Sequence, residues 1–142
     1  MNNIVDLVPI LKETLDNNKN FIMPVRGTSM LPFIYETNHV ILANPTNLKK
    51  NDIIFYQRND GSYVLHRIYQ IKKEHYVLLG DNQINKEEPI YYKQIIGKVI
   101  AIKRKNKTDY LNSFLYKLYL FFWHSLLIRK IFFPLTRRIK NV

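Results

Sequence analysis

Asp52-Ile53-Ile54-Phe55-Tyr56-Gln57-Arg58-Asn59-Asp60-Gly61-Ser62-Tyr63-Val64-Leu65-His66-Arg67-Ile68-Tyr69 is the stretch that decides the fold class. Two runs rich in β-branched and aromatic residues flank Asn59-Asp60-Gly61, and an acid or amide followed by glycine is a strong hairpin signal. The same kind of short run recurs outward in both directions, so strands are expected at 21–25, 38–43, 52–57, 62–71, 75–79 and 94–104. Asn, Asp, Gly, Pro and Lys turns separate them. The expectation is a mainly β protein, a compact antiparallel sheet or partly open barrel. No internal repeat or low-complexity segment interrupts it.

Helical spacing replaces strand spacing at both flanks. Ile4, Leu7, Val8, Leu11 and Leu15 predict a short amphipathic N-terminal helix, with Pro9 inside the pattern and Asn17-Asn18-Lys19-Asn20 ending it. After Lys103-Arg104-Lys105-Asn106-Lys107 the chain turns aromatic. Leu111, Leu115, Leu118, Phe122 and Leu126 follow one helical stripe there. The expected organisation is a helix over 1–20, a β-domain over 21–108 and a basic amphipathic helical tail over 109–142. A chain of 142 residues suits one domain with a real core.

Charge is distributed unevenly. Residues 98–142 carry eleven Lys/Arg against the single acid Asp109, whereas residues 1–97 carry eleven against ten. The folded body is therefore nearly neutral, which disfavours nucleic acid as a partner. The uncharged run Leu118–Ile128 is too short to span a bilayer of roughly 20 helical residues. Aromatics beside cations instead suit the headgroup region, with Phe121, Phe122, Trp123, Arg129 and Lys130 as contacts. Neither a secretory leader nor an N-terminal anchor is expected, and a peripheral position on the cytoplasmic face is the simplest location. The absence of cysteine excludes disulfides, thiolate metal sites and a cysteine nucleophile.

Three segments carry residues suited to acyl transfer. Val25-Arg26-Gly27-Thr28-Ser29-Met30-Leu31-Pro32 presents a hydroxyl on a corner constrained by Gly27 and Pro32. A serine needs a base and an oxyanion site. Of the four histidines, His39 and His75 lie in polar surroundings and His124 in the aromatic tail. His66 shares a strand face with Val64 and Ile68. Leu79-Gly80-Asp81-Asn82 follows a strand and can return a carboxylate to its end. Taken singly, these residues fit an ordinary turn, a core histidine and a β-turn.

Together the segments resemble the type I signal peptidases and their relatives among the self-cleaving repressor peptidases. Gly27-Thr28-Ser29-Met30-Leu31-Pro32 matches the nucleophile box, Lys50-Asn51-Asp52-Ile53-Ile54-Phe55 a strand box and Leu65-His66-Arg67-Ile68 the general-base box. Gly80-Asp81-Asn82 matches the third catalytic box, and Ile95-Ile96-Gly97-Lys98-Val99 the closing strand. Histidine in place of lysine at position 66 is similar to the endoplasmic-reticulum-like branch. The resemblance implies Ser29 as nucleophile, His66 as general base, Asp81 as the group orienting His66, and no metal or organic cofactor. It further implies that Gly27, Thr28, Met30 and Pro32 shape the oxyanion site, with the Ser29 N–H as donor. Three departures stand out: Gly27 lacks the hydroxyl common two positions before the nucleophile, Asn51 replaces a usual glycine, and the N-terminal membrane anchor of ordinary signal peptidases is not expected here. The implied function is a serine endopeptidase removing leaders from precursor peptides or preproteins near a membrane. The alternatives are a self-cleaving-repressor-like regulator and an inactive interaction module on the same fold.

Overall fold

A computed structural model describes residues 3–125. Its helix α1 (Ile4–Asp16) precedes the strands β1 (Phe21–Pro24), β2 (His39–Ala43), β3 (Ile53–Gln57), β4 (Tyr63–Ile71), β5 (Tyr76–Leu79), β6 (Glu87–Ile90), β7 (Ile95–Arg104) and β8 (Lys107–Tyr110). Helix α2 (Phe114–Trp123) follows. The eight strands form one open antiparallel sheet in the order β1-β2-β7-β3-β4-β5-β6, with β8 paired to β7. This is the mainly β architecture, with a helix at each flank, that the strand pattern predicts.

The central hairpin forms where Asn59-Asp60-Gly61 places it. Gln57 pairs with Tyr63, Gly61 takes φ +88°, and the Ser62 N–H and hydroxyl both donate to Asp60 Oδ1. Strand β3 is buried on both sides. Ile53 and Phe55 join a core with Val8, Leu11, Leu15 and Met23, whereas Ile54 and Tyr56 join a second core with Ile68, Leu78 and Ile90. Register shifts at Ile41/Leu42, Phe55/Tyr56, Ile68/Gln70 and Tyr76/Leu78 bend the sheet.

Two strands escaped the sequence reading. In β6, Glu87-Glu88-Pro89 has charges and a proline that belong to an edge strand, where no second neighbour needs the missing N–H. In β8, Lys107-Thr108-Asp109-Tyr110 is short and half-exposed, and it straddles the 108/109 position between body and tail. Its pairing with β7 comes from the tight turn at Asn106 rather than from apolar patterning.

Helix α1 continues through Pro9 and buries Val8, Leu11 and Leu15 against the sheet. Packing thus offsets the lost hydrogen bond. Leu11→Ala should therefore lower the unfolding free energy by about 2–5 kcal/mol in urea denaturation.

Candidate active site

The nucleophile corner begins where β1 ends. The Gly27 backbone has φ +81°, and its N–H donates to Glu36 Oε1 at 2.8 Å. Beyond it the Leu31 N–H donates to the Thr28 carbonyl, the N–H groups of Phe33 and Ile34 donate to that of Met30, and the Leu31–Pro32 peptide is cis. Met30, Leu31 and Ile34 are buried and anchor this corner, leaving Ser29 half-buried. Among the described residues the Ser29 N–H donates to no other backbone group, so it remains available to an oxyanion.

The segment 80–82 straps the corner from beneath. The Asn82 N–H donates to the Ser29 carbonyl at 2.8 Å, and its side-chain amide donates to the Thr28 carbonyl at 3.1 Å. Gly80 lies so close that a Cβ there would sit 2.7 Å from the Ser29 carbonyl oxygen. That is why this position demands glycine. Arg67, next to His66, pairs with Leu79, the residue before Gly80, and Gly80 lies against the Ser29 carbonyl. Register and close approach thereby bring the two segments together.

His66 is fully buried. Ile54 opposes it and Val64 opposes Tyr56, so Tyr56 and His66 are diagonal neighbours on one face, within reach of each other. The Tyr56 hydroxyl lies 3.1 Å from His66 Nδ1 and donates its proton to Glu87 Oε2 at 2.6 Å. Because the phenol's one proton is committed to Glu87, the remaining contact assigns the hydrogen to His66 Nδ1 and leaves a lone pair on Nε2. Among the described residues the buried Nε2 has no hydrogen-bond partner, so no bond joins it to Ser29. Burial pushes the imidazole down to about 4, against a smaller upward pull from Glu87. Burial also raises Glu87, but hydrogen bonds from Arg58 and Tyr56 outweigh it and hold the carboxylate low. The Arg58 guanidinium pairs with Glu87 through two nitrogens. His66 is thus a neutral, buried imidazole with an unshared Nε2 lone pair and a Tyr56–Glu87–Arg58 chain behind it.

Asp81 has a different partner from the one expected. Its two carboxylate oxygens accept from Arg67 Nε and Nη2 at 2.9 and 2.8 Å, with Arg67 and Asp81 both buried. The reason is strand parity. Asp81 stands two residues beyond Leu79, the partner of Arg67, and so returns to the Arg67 side; His66 points the other way. Asp81 therefore does not orient His66 by a hydrogen bond. Arg67 Nη1 further donates to the Asn51 carbonyl and to Tyr116, and Tyr119 donates to Asp81 Oδ2.

Trp123 belongs to this second cluster rather than to an outer surface. It is buried, stacks on Tyr119, and its indole N–H donates to the Asp81 carbonyl. His124 bonds the Asn51 side chain and packs on Tyr69, His75 faces Glu88, and His39 is exposed. Asn51 takes φ +80°, the left-handed conformation that explains glycine as the usual residue there. Phe121 and Phe122 are exposed, and Arg129 and Lys130 lie outside the described residues.

The fold is an open antiparallel β-domain that carries Ser29 on one corner and a buried His66 on its central hairpin. The chain belongs to the Peptidase S24-like family, which it matches over residues 1–100. It is also similar to the LexA repressors of Limosilactobacillus reuteri (strain DSM 20016) and of L. reuteri subsp. reuteri (strain JCM 1112). Each is 30% identical over 105 residues, covering 72% of this chain and 49% of the relative. The chain thus spans about half the length of the curated relatives it matches. These matches fall on the repressor-peptidase side of the expected resemblance. Neither the family match nor these relatives is a signal peptidase, so the endoplasmic-reticulum-like branch expected from His66 is not shown.

Two outcomes follow from this geometry. Asp81→Asn should lower stability by about 3–5 kcal/mol in denaturant melts, because Arg67 is left buried without its counter-charge. The His66 ring should keep its low NMR titration midpoint in that variant. His66 itself binds fewer protons folded than unfolded between its ordinary value and about 4, so stability rises with pH across that window. Urea midpoints measured across the window should show this slope in the wild type and lose it in His66→Gln.

Proposed function

We propose that this chain is a serine endopeptidase that cleaves a peptide bond in trans with Ser29 as nucleophile and His66 as general base. The observation that carries this reading is His66: neutral, buried, its Nε2 lone pair unpartnered among the described residues, on the strand β4 whose neighbour β5 leads into the 80–82 strap that holds Ser29. A buried histidine serving only the core would have both nitrogens satisfied, since an orphaned polar atom costs about 1–3 kcal/mol.

The reaction runs as acyl transfer. Ser29 Oγ attacks the scissile carbonyl while His66 Nε2 takes its proton. The imidazolium that forms is stabilised by Tyr56 at Nδ1 and by the Glu87 carboxylate, whose Oε1 lies 3.7 Å from that nitrogen. The Ser29 N–H holds the oxyanion, a role closed to the Gly27 N–H by its bond to Glu36. His66 then returns the proton to the leaving amine, and water repeats the sequence on the acyl-enzyme. Tyr56 and Glu87 are positioning residues in this scheme. The substrate enters as an extended segment along β1, the terminal strand of the sheet order, which runs directly into the nucleophile corner. Leaders of precursor peptides or preproteins, processed on the cytoplasmic side, fit such an edge.

The likeness to the LexA repressors supports a second reading, a regulator that cleaves itself. Among the described residues the nucleophile box is preceded by α1, with Val8, Leu11 and Leu15 in the core, and by β1, paired to β2 in the sheet. Purified protein incubated alone, at several concentrations, distinguishes the two: a first-order, concentration-independent shortening of the chain supports the self-cleaving reading. Cleavage of added extended peptides supports the first.

On such peptides Ser29→Ala should abolish turnover, and His66→Ala should reduce it by roughly 10²–10⁴-fold. The acid limb of kcat/KM should fall near pH 4, well below that of an ordinary histidine, because the free enzyme keeps His66 neutral down to about 4. Glu87→Gln removes the pull that raises His66, so the acid limb should move to lower pH as kcat drops. Equal cleavage by wild type and Ser29→Ala would rule the assignment out.

A further inference from the structure

Helix α2 has two faces of opposite character. Tyr116, Tyr119 and Trp123 point inward, bonded to Arg67, to the Asp81 carboxylate and to the Asp81 carbonyl, with Phe33 stacked on Tyr119 at 4.9 Å. At 100° per residue the exposed apolar side chains gather on an arc of about 120° on the other side, while half-buried Leu120 lies outside it. Those on the arc are Phe114, Leu115, Leu118, Phe121 and Phe122, exposed at 77%, 75%, 41%, 74% and 49%. A helix fixed by three polar contacts on one side cannot roll to hide such a face. Five large apolar side chains on a ten-residue helix make a contiguous patch of the kind that marks an interaction surface.

Charge says what the patch meets. Among the described residues the cleft along one flank of α2 is lined by Lys49, Lys50, Lys98 and Lys117, with Asp52 the single acid. Asp52 already accepts the Lys49 N–H at 2.8 Å. Beyond α2 the sequence 126–142 adds Arg129, Lys130, Arg137, Arg138 and Lys140 and no acid. Aromatic and leucine side chains bordered by lysines suit a layer with an apolar interior and anionic heads. A second copy of this chain, itself at +11, is repelled by the same cations.

We propose that the outward face of α2 docks on an anionic lipid bilayer surface, with Phe114, Leu118 and Phe121 inserted among the headgroups and Lys49, Lys50, Lys98 and Lys117 against them. No helix among the described residues is long and apolar enough to cross a membrane, and docking needs none. The inner face of α2 holds Asp81, and the 80–82 strap holds Ser29, so docking sets the nucleophile corner at a defined distance from the lipid.

Full-length protein is sedimented with vesicles of phosphatidylcholine and with vesicles of phosphatidylcholine mixed with phosphatidylglycerol. Binding to the mixed vesicles, weakened by salt and reduced at least roughly tenfold by F114D combined with F121D, is the expected result. Because the chain has no cysteine, L118C can carry a single polarity-sensitive dye. Its emission should shift to the blue on mixed vesicles, whereas the same dye on K12C should not respond. That second readout stands even if the double variant misfolds. Equal partition of wild type and double variant, or an unshifted dye at 118, overturns the proposal. So does a dimer in solution that F114D/F121D dissolves, which would make a second copy the occupant. Ser29→Ala should bind vesicles as wild type does, so the docking surface and the peptidase assignment fail independently.

Discussion

The buried ion pair between Arg67 and Asp81 holds the working parts of this molecule in one arrangement. Arg67 comes from the central strand β4 and Asp81 from the strap after β5, and both are nearly inaccessible. Burial disfavours the Arg67 charge, but Asp81 more than compensates and keeps the guanidinium ionised. The remaining Arg67 donor serves the Asn51 carbonyl and Tyr116, and its planar face lies near the rings of Phe33, Tyr116 and Tyr119. Breaking such a pair is far more damaging than never having built it, since one charge would then be stranded. Through the strap this pair reaches Ser29; through Tyr119 and Trp123 it reaches α2.

The adjacent residue, His66, points to the opposite face and lives under different electrostatics. There the charge is set back from the imidazole behind a phenol. Tyr56 conveys the demand of Glu87 to Nδ1 without placing a carboxylate directly on the ring. Burial dominates the titration of the ring and keeps it neutral, while the nearby Glu87 carboxylate pulls weakly the other way; in the proposed mechanism that carboxylate stabilises the imidazolium. Two neighbouring residues on one strand thus divide the labour. Arg67 bears a permanent charge that organises structure, and His66 is neutral and, in the proposed function, gains its charge only during catalysis.

Much of this was legible residue by residue. Asn59-Asp60-Gly61 located the hairpin, and α1 could be read from Val8, Leu11 and Leu15 because period 3.6 survives a proline. Given that hairpin, the pairing of Tyr56 with Val64 already puts Tyr56 and His66 on one face, so a register argument could have found Tyr56. The parity of Leu79 and Asp81 could likewise have separated Asp81 from His66. Glu87 was beyond reach. It arrives from an edge strand whose two acids and proline look like a loop, and its place beside Tyr56 is set by the β5–β6 pairing alone. The apolar stripe of α2 was visible as a stripe, but its pattern did not say which side turns inward.

The sequence by itself determined the local choices: strands where β-branched and aromatic residues alternate, turns where Gly27 and Gly61 permit positive φ, and a serine and a histidine in segments fit for acyl transfer. Local propensity and periodicity depend on near neighbours, so they can be read without coordinates. Only the tertiary structure decided which carboxylate stands behind His66, which one neutralises Arg67, and which face of α2 is left to solvent. Those outcomes depend on contacts between residues far apart in the chain. A shift of one residue in register would exchange them, because successive side chains on a strand point to opposite sides.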